Sequence, residues 1–295
     1  MNPVALHLAS GMSVFSGVGL LLLAVLLSPW CRNPWAKRGR TLLAWLGLLL
    51  IITSATPWPL WIELVGIVVF AWWFLAEEVD RVRRLCTSFL PRFALVAVGI
   101  LLVGLEYPYT LRPEIPSRTG QPLYVIGDSI SAGIRGPSPP WPSILATKYG
   151  VSVTNLSVAG ATVGDASWQA AKIKEARGTV LIEIGGNDLL AGLPAREFRR
   201  SLESLLASLQ QPGRTLVMLE LPLIPFFSGY GRAQRELAKQ FHVYLIPKRD
   251  FTNVLGSPGA TEDGLHLSKL GALRMAETIY SILGPVLSAS APPLP

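Results

Sequence analysis

Apolar residues recur along this chain in two different rhythms. Up to Leu105 they form long, nearly unbroken stretches: Gly11 to Leu27, Thr41 to Ala55, Leu60 to Leu75 and Phe93 to Leu105. A helix that crosses a bilayer needs about 20 apolar residues, with a range of about 17–25. The first stretch sits in an uncharged run from Met1 to Cys31 and is long enough alone. The second and third are slightly short and are joined by Thr56-Pro57-Trp58-Pro59, a tight turn. They form two spans or one hairpin that dips into the bilayer. The fourth reaches span length if it starts near Leu85, accepts Pro91 as a kink and lets Arg92 snorkel. Residues 1–105 are therefore expected to be an all-helical membrane region of about four transmembrane helices.

The rhythm changes after a Pro-rich polar linker at residues 106–121. Short apolar runs now alternate with amphipathic stretches. Strands are expected at Leu123–Ile126, Val151–Val158, Thr179–Ile184, Thr215–Leu221 and Val243–Ile246. Helices are expected at Trp141–Tyr149, around Ala166–Ala176, and at Ala195–Gln210, Gly231–Phe241 and Leu267–Leu283. In the third of these, Phe198, Leu202, Leu205 and Leu209 recur at helical spacing. Strands alternating with helices imply an α/β domain, a parallel five-stranded sheet covered on both faces. Such sheets bind ligands at the carboxyl ends of their strands. The domain is expected to fill residues 122–286, with a disordered tail at 287–295.

Charge follows the same division. The 295 residues carry 26 Lys and Arg against 19 Asp and Glu, a net +7, and only 15% are charged. Soluble domains usually carry about 25%. Residues 1–105 hold eight of the basic residues, four acids and seven of the nine Trp. The remainder has a near-neutral balance, and neither part has the basic surplus of a nucleic-acid-binding protein. Arg32, Lys37, Arg38 and Arg40 lie in the first loop, and Arg81, Arg83, Arg84 and Arg92 in the third. The positive-inside rule places those loops in the cytoplasm. The N-terminus, the Thr56–Pro59 turn and everything after the fourth stretch then face outward. This predicts a multi-pass inner-membrane protein with its second domain on the periplasmic or extracellular side. Without a basic segment before the first apolar run, a cleaved signal peptide is disfavoured. Cys31 and Cys86, the only cysteines, fall in the reducing compartment, where a disulfide is not expected.

The polar residues that break the strand pattern cluster at strand ends. The first strand runs into Gly127-Asp128-Ser129, the second is followed by Ala159-Gly160-Ala161, and the third runs into Gly185-Gly186-Asn187-Asp188. Asp263-Gly264-Leu265-His266 precedes the last helix. This is the inventory of a serine esterase. A serine hydroxyl needs a base to take its proton. His266 supplies one with a pKa near neutrality. Asp263 can accept the other imidazole N–H, fix the tautomer and stabilise the imidazolium. An oxyanion would find donors in the backbone N–H of Ser129, the N–H of Gly160 and the Asn187 amide, and the helix beginning at Ser129 would add its dipole.

Gly-Asp-Ser, a lone Gly after the second strand, Gly-Gly-Asn-Asp after the third, and Asp-x-x-His near the end resemble the four blocks of the SGNH (GDSL) hydrolase superfamily, over residues 122–284. The Gly-Arg-Ala-Gln-Arg segment at 231–235 is similar to the thioesterase/lysophospholipase-like branch. Each block alone is weak; four in order on alternating strands are specific. The resemblance implies a flavodoxin-like three-layer α/β/α sandwich, hydrolysis of an ester or thioester, and no metal or other cofactor. It covers none of residues 1–105. Leu267 departs from the Pro that many members carry after the histidine.

Several residues have competing readings. Ser129 could be an ordinary helix cap. Asp128 is expected to shape the turn and Asp188 to be structural. His242 is expected to be a satisfied structural histidine, and His7 lies in the N-terminal segment. Glu183, an acid inside an apolar strand, has no evident role. Trp141 and Trp168 line an acyl pocket or serve as core and surface aromatics. Glu63 lies near the outer end of its stretch. The expected protein is a membrane-anchored serine esterase acting on a small-molecule or lipid ester, without nucleic acid. The alternative is an acyltransferase or deacetylase that acts on envelope glycans with the same site.

Overall fold

The computed structural model describes residues 2–30, 33–78, 89–116, 120–133, 138–223, 225 and 227–287. Cys31, Arg32, Arg81, Arg83, Arg84, Cys86 and the 288–295 tail lie outside them. The chain divides into two compact units. One comprises Met1–Leu6, Arg112–Pro222 and Gly229–Pro295; the other comprises His7–Leu111 and Leu223–Ser228.

The helical unit contains α2 (Ser13–Leu27), α3 (Pro34–Ile52), α4 (Leu60–Glu78) and α5 (Phe89–Glu106), with α1 (Pro3–Ala9) leading in. Asn33 caps α3 by accepting the Ala36 N–H at 2.6 Å. Pro34 follows at the first turn, where its missing N–H costs nothing. Leu21, Ala24, Ala44, Phe70, Trp73 and Leu95 form one core cluster. Val14, Val18, Trp58, Ile62 and Leu102 form another. The Thr56–Pro59 turn is therefore not a loose loop, because Trp58 is 4% exposed. By length and apolarity α4 and the segment Phe89–Thr110 can each cross a membrane. The α1–α2 pair, bent by 94°, makes a third if it is one span. The sequence pattern suggested about four. The difference arises in α3, whose first turns carry Lys37, Arg38 and Arg40. Arg40 is buried and pairs with Glu77 at 3.2 Å and with Glu78, and Arg92 pairs with Glu77 at 2.6 Å. These ion pairs tie the ends of α3, α4 and α5 together.

The α/β unit is built on five parallel strands in the order β2-β1-β3-β4-β5. They are β1 (Leu123–Gly127), β2 (Val153–Asn155), β3 (Arg177–Glu183), β4 (Gly213–Leu219) and β5 (Tyr244–Ile246). The intervening helices are α6 (Ser129–Ala132), α7 (Trp141–Tyr149), α8 (Ala166–Ala170), α9 (Gly186–Leu190), α10 (Ala195–Leu209), α11 (Ser228–Gln240), α12 (Lys248–Gly256) and α13 (Lys269–Leu287). Strand residues alternate between two faces. Leu123, Val125, Leu181, Val217 and Leu219 pack with Trp141, Leu145, Phe251, Met275 and Ile279 from α7, α12 and α13. On the other face Ile126, Val180, Ile182, Leu216 and Met218 are also buried. There α10 presents Phe198, stacked on Tyr230 of α11 at 4.4 Å between ring centroids. Helices on both faces make the expected three layers.

Several elements differ from the sequence pattern. Only three residues pair in β2, an edge strand that is largely exposed, where eight were expected. The helix after it stops at Ala170. The helix α12 was not foreseen; it follows β5 directly through Pro247. His242, expected to be a satisfied structural histidine, is exposed in a left-handed turn at φ +52° after α11.

Candidate active site

All the segments singled out in the sequence emerge at or beyond the carboxyl ends of strands. From β1 the chain passes through Gly127 and Asp128 into α6. Asp128 Oδ1 accepts the Ile130 N–H at 3.0 Å, so it caps the turn as expected. Ser129 is half-buried at its first position. At four residues α6 is too short for the helix dipole anticipated from the sequence. The peptide of Gly127 is gripped from the side by Gln169. Its N–H donates to Gln169 Oε1 and its carbonyl accepts from Nε2, both at 2.9 Å.

After β2, Val158–Ala161 forms a tight turn in which the Ala161 N–H donates to the Val158 carbonyl at 3.1 Å. Gly160 sits there at φ +81° with its surroundings open, the left-handed position that glycine occupies without strain. After β3, Asn187 lies in the first turn of α9. Its Nδ2 donates to the Ala161 carbonyl at 2.9 Å. The amide thus has a second hydrogen left to offer. Asp188 Oδ2 accepts the Val163 N–H at 3.0 Å. These two bonds tie the Gly160 turn to the Asn187 turn. Tyr230 Oη, 2.5 Å from the Leu193 carbonyl, supports the far end of α9. Asp188 is thereby structural, and burial raises its pKa.

Asp263 and His266 occupy the tip of a narrow antiparallel turn closed by Thr261 and Leu267. Asp263 Oδ1 accepts the N–H groups of Leu265 at 2.9 Å and His266 at 2.8 Å. Its Oδ2 lies 2.6 Å from His266 Nδ1. A carboxylate only accepts, so the proton belongs on Nδ1 and Nε2 is left as a base. The bond to the imidazole, followed by the two backbone bonds, holds the Asp263 carboxyl well below the usual range. Burial pushes Asp128, next to Ser129, up to about 6, against the opposing effect of the Ile130 N–H.

The two tryptophans separate clearly. Trp141 is fully buried in the core, and its indole N–H donates to Ser131 Oγ at 3.1 Å. Trp168 is 78% exposed. Sequence reasoning missed the supporting roles of Ser131, in the segment after the first strand, of Gln169, within an expected helix, and of Tyr230, just before one. Its one usable signal was Glu183, an acid in an apolar strand. Among the described residues, no three His, Cys, Asp or Glu side chains gather as a metal site.

Residues 125–274 match the GDSL-like Lipase/Acylhydrolase family. The chain is 30% identical over 167 residues to an arylesterase of Vibrio mimicus, which covers 51% of this chain and 82% of that protein. It is 29% identical over 179 residues to thioesterase 1/protease 1/lysophospholipase L1 of Escherichia coli K12, covering 56% of this chain and 85% of that protein. Among solved structures, that of TesA superposes with a TM-score of 0.51 at 27% identity, over 57% of this chain and all of that one. With the parallel sheet and its strand-end segments in place, the chain belongs to the GDSL-like lipase/acylhydrolase family and is a carboxylic ester hydrolase.

Proposed function

We propose that the protein is a membrane-anchored serine esterase that cleaves acyl esters or thioesters through an acyl-enzyme on Ser129. One observation carries this reading. An Asp263–His266 pair with Nε2 left basic accompanies a sheet that presents Ser129, Gly160 and Asn187 beyond the ends of three adjacent strands. Ser129 Oγ attacks the acyl carbon as its proton passes to His266 Nε2. The oxyanion is met by the N–H groups of Ser129 and Gly160 and the free Asn187 hydrogen. The C–O or C–S bond then breaks, and the leaving group takes the proton from His266. Water repeats the sequence on the acyl-enzyme, giving its proton to His266, and Ser129 regains that proton on release. The relatives are named as an arylesterase and as a thioesterase and lysophospholipase. Their names favour water over a glycan hydroxyl as the acyl acceptor.

The helices serve as the anchor. Arg81, Arg83, Arg84 and Arg92 precede or open α5, and the positive-inside rule assigns their end to the cytoplasm. The segment Phe89–Thr110 is long enough to cross once. The hydrolase unit then begins on the periplasmic or outer side. The test is hydrolysis of short-chain nitrophenyl esters by the purified full chain beside Ser129→Ala. Activity confined to the wild type is expected, and equal activity in both would overturn the reading.

A further inference from the structure

Beneath the Ser129 turn lies a buried polar cluster that takes no part in the steps above. Glu183, the last residue of β3, is 2% exposed, and Ser131 and Trp141 are fully buried. Ser131 Oγ donates to Glu183 Oε2 at 2.7 Å and accepts the Trp141 indole N–H at 3.1 Å. Ser131 lies two residues beyond Ser129. From the opposite side, Asn155 Nδ2 donates to the Ser131 carbonyl at 2.8 Å.

This arrangement matters because α6 cannot hold its own shape. Its intrahelical support is Ala132 N–H to the Asp128 carbonyl at 2.8 Å and Gly133 N–H to the Ser129 carbonyl at 3.0 Å. A single turn fixes more dihedrals than its hydrogen bonds repay, so it needs outside support. An acid buried in an apolar strand is costly, and a Leu or Val would fit the strand pattern without that cost. The carboxyl nevertheless sits where it accepts the hydroxyl of Ser131, two residues beyond Ser129. We propose that Glu183 is a positioning residue, whose carboxyl clamps the 128–131 turn and so fixes the direction of Ser129 Oγ. The inference rests on the reading of Ser129 as the nucleophile.

Burial first, and then the charge of Asp128, hold the Glu183 carboxyl well above the usual range. An amide keeps the acceptor oxygen that Ser131 Oγ uses, so Gln can stand in for Glu183. The experiment compares the full-length wild type with Glu183→Gln, Glu183→Leu, Ser131→Ala and Ser129→Ala. It reads kcat and KM on a nitrophenyl ester, the second-order rate of inactivation by a fluorophosphonate, and Tm. Small misplacements of a reacting group can cost about 100-fold in rate. Glu183→Leu is expected to lower kcat and the inactivation rate by about that factor at unchanged KM. Glu183→Gln should recover most of both, and Ser131→Ala should fall between them.

Wild-type rates in Glu183→Leu would overturn the proposal. So would losses in all three variants that merely track the folded fraction. If Glu183→Leu does not fold, Ser131→Ala decides, and a wild-type inactivation rate there counts against the clamp. An active Ser129→Ala would sink the nucleophile reading and the clamp together. An inactive Ser129→Ala beside a fully active Glu183→Leu would remove the clamp alone.

Discussion

Replacing Asp263 by Asn separates the proposed role of this residue from simple packing. Asp263 uses one oxygen for two backbone N–H groups and the other for His266 Nδ1. Asn has a single acceptor oxygen. Kept on the backbone side, it preserves the turn but aims its NH2 at Nδ1. The imidazole must then accept at Nδ1 and carry its proton on Nε2, the atom that should take the proton of Ser129. An Asp→Asn change that forces this tautomer in a Ser-His-Asp site lowers kcat by about 10⁴-fold. Here the Asp263 side chain is 55% exposed and the imidazole 25% exposed, so water can compete for the ring. The expected loss is smaller, about 10³-fold, or about 4 kcal/mol of barrier. Asp263→Ala imposes no wrong tautomer, because water can accept from Nδ1. It should lose less, about 10²-fold in kcat. The assay is kcat on a nitrophenyl ester for the three proteins, with KM and Tm as controls. The order wild type, Ala, Asn in decreasing kcat is the signature. An Asn variant more active than the Ala variant, or within threefold of wild type, would refute the tautomer argument.

Three further outcomes follow from other parts of the site. Asn187→Ala removes one oxyanion donor, and kcat should fall about 10²–10³-fold with KM nearly unchanged; a proportionate rise in KM would instead mark ground-state binding. Asp128 is buried with its pKa raised to about 6. A carboxyl whose folded pKa lies above its unfolded value favours the fold when protonated, so its contribution is greatest below about pH 4 and is lost as pH rises towards 6. Asp128→Asn should therefore flatten the decline in Tm between those pH values; an unchanged slope would assign it to other groups. Gly185 sits at φ +115°, where a Cβ would lie 2.8 Å from the Phe198 ring and 2.9 Å from Leu221. Gly185→Ala combines backbone strain with overpacking and should destabilise by about 3 kcal/mol in chemical denaturation; a wild-type midpoint would contradict the packing described for β3 and α10.

The sheet was legible in the sequence because its strands are buried on both faces. Leu123–Gly127 and Gly178–Glu183 read as unbroken apolar runs interrupted only at their ends. The edge strand β2 was overextended, because Val151–Val158 looks equally apolar whether or not a neighbour pairs with it. The helix α12 escaped notice because Lys248, Arg249 and Asp250 open it, and a charged start reads as loop. Among the candidate site residues, Ser129 and Asn187 were visible as polar interruptions at strand ends, Gly160 as a lone glycine after the second strand, and Asp263 and His266 as a pair before the last helix. What supports them was not. The bonds from Gln169 to Gly127, from Asn187 to Ala161 and from Ser131 to Glu183 join residues 42, 26 and 52 positions apart. No local pattern encodes such pairings. The membrane region shows the converse. Its composition announced helices at once, yet the number of crossings turns on the charges at the start of α3, of which Arg40 is met by Glu77 and Glu78 far along the chain.

The claim that Ser129 is the nucleophile meets its most direct test in covalent labelling. The purified full chain is treated with a fluorophosphonate, and the adduct is counted by intact mass and located by peptide mapping. One adduct per chain on Ser129 is predicted, absent from Ser129→Ala, slowed in His266→Ala and accompanied by loss of ester hydrolysis. Hydrolysis that persists without an adduct, or an adduct on another residue that abolishes it, would contradict the account.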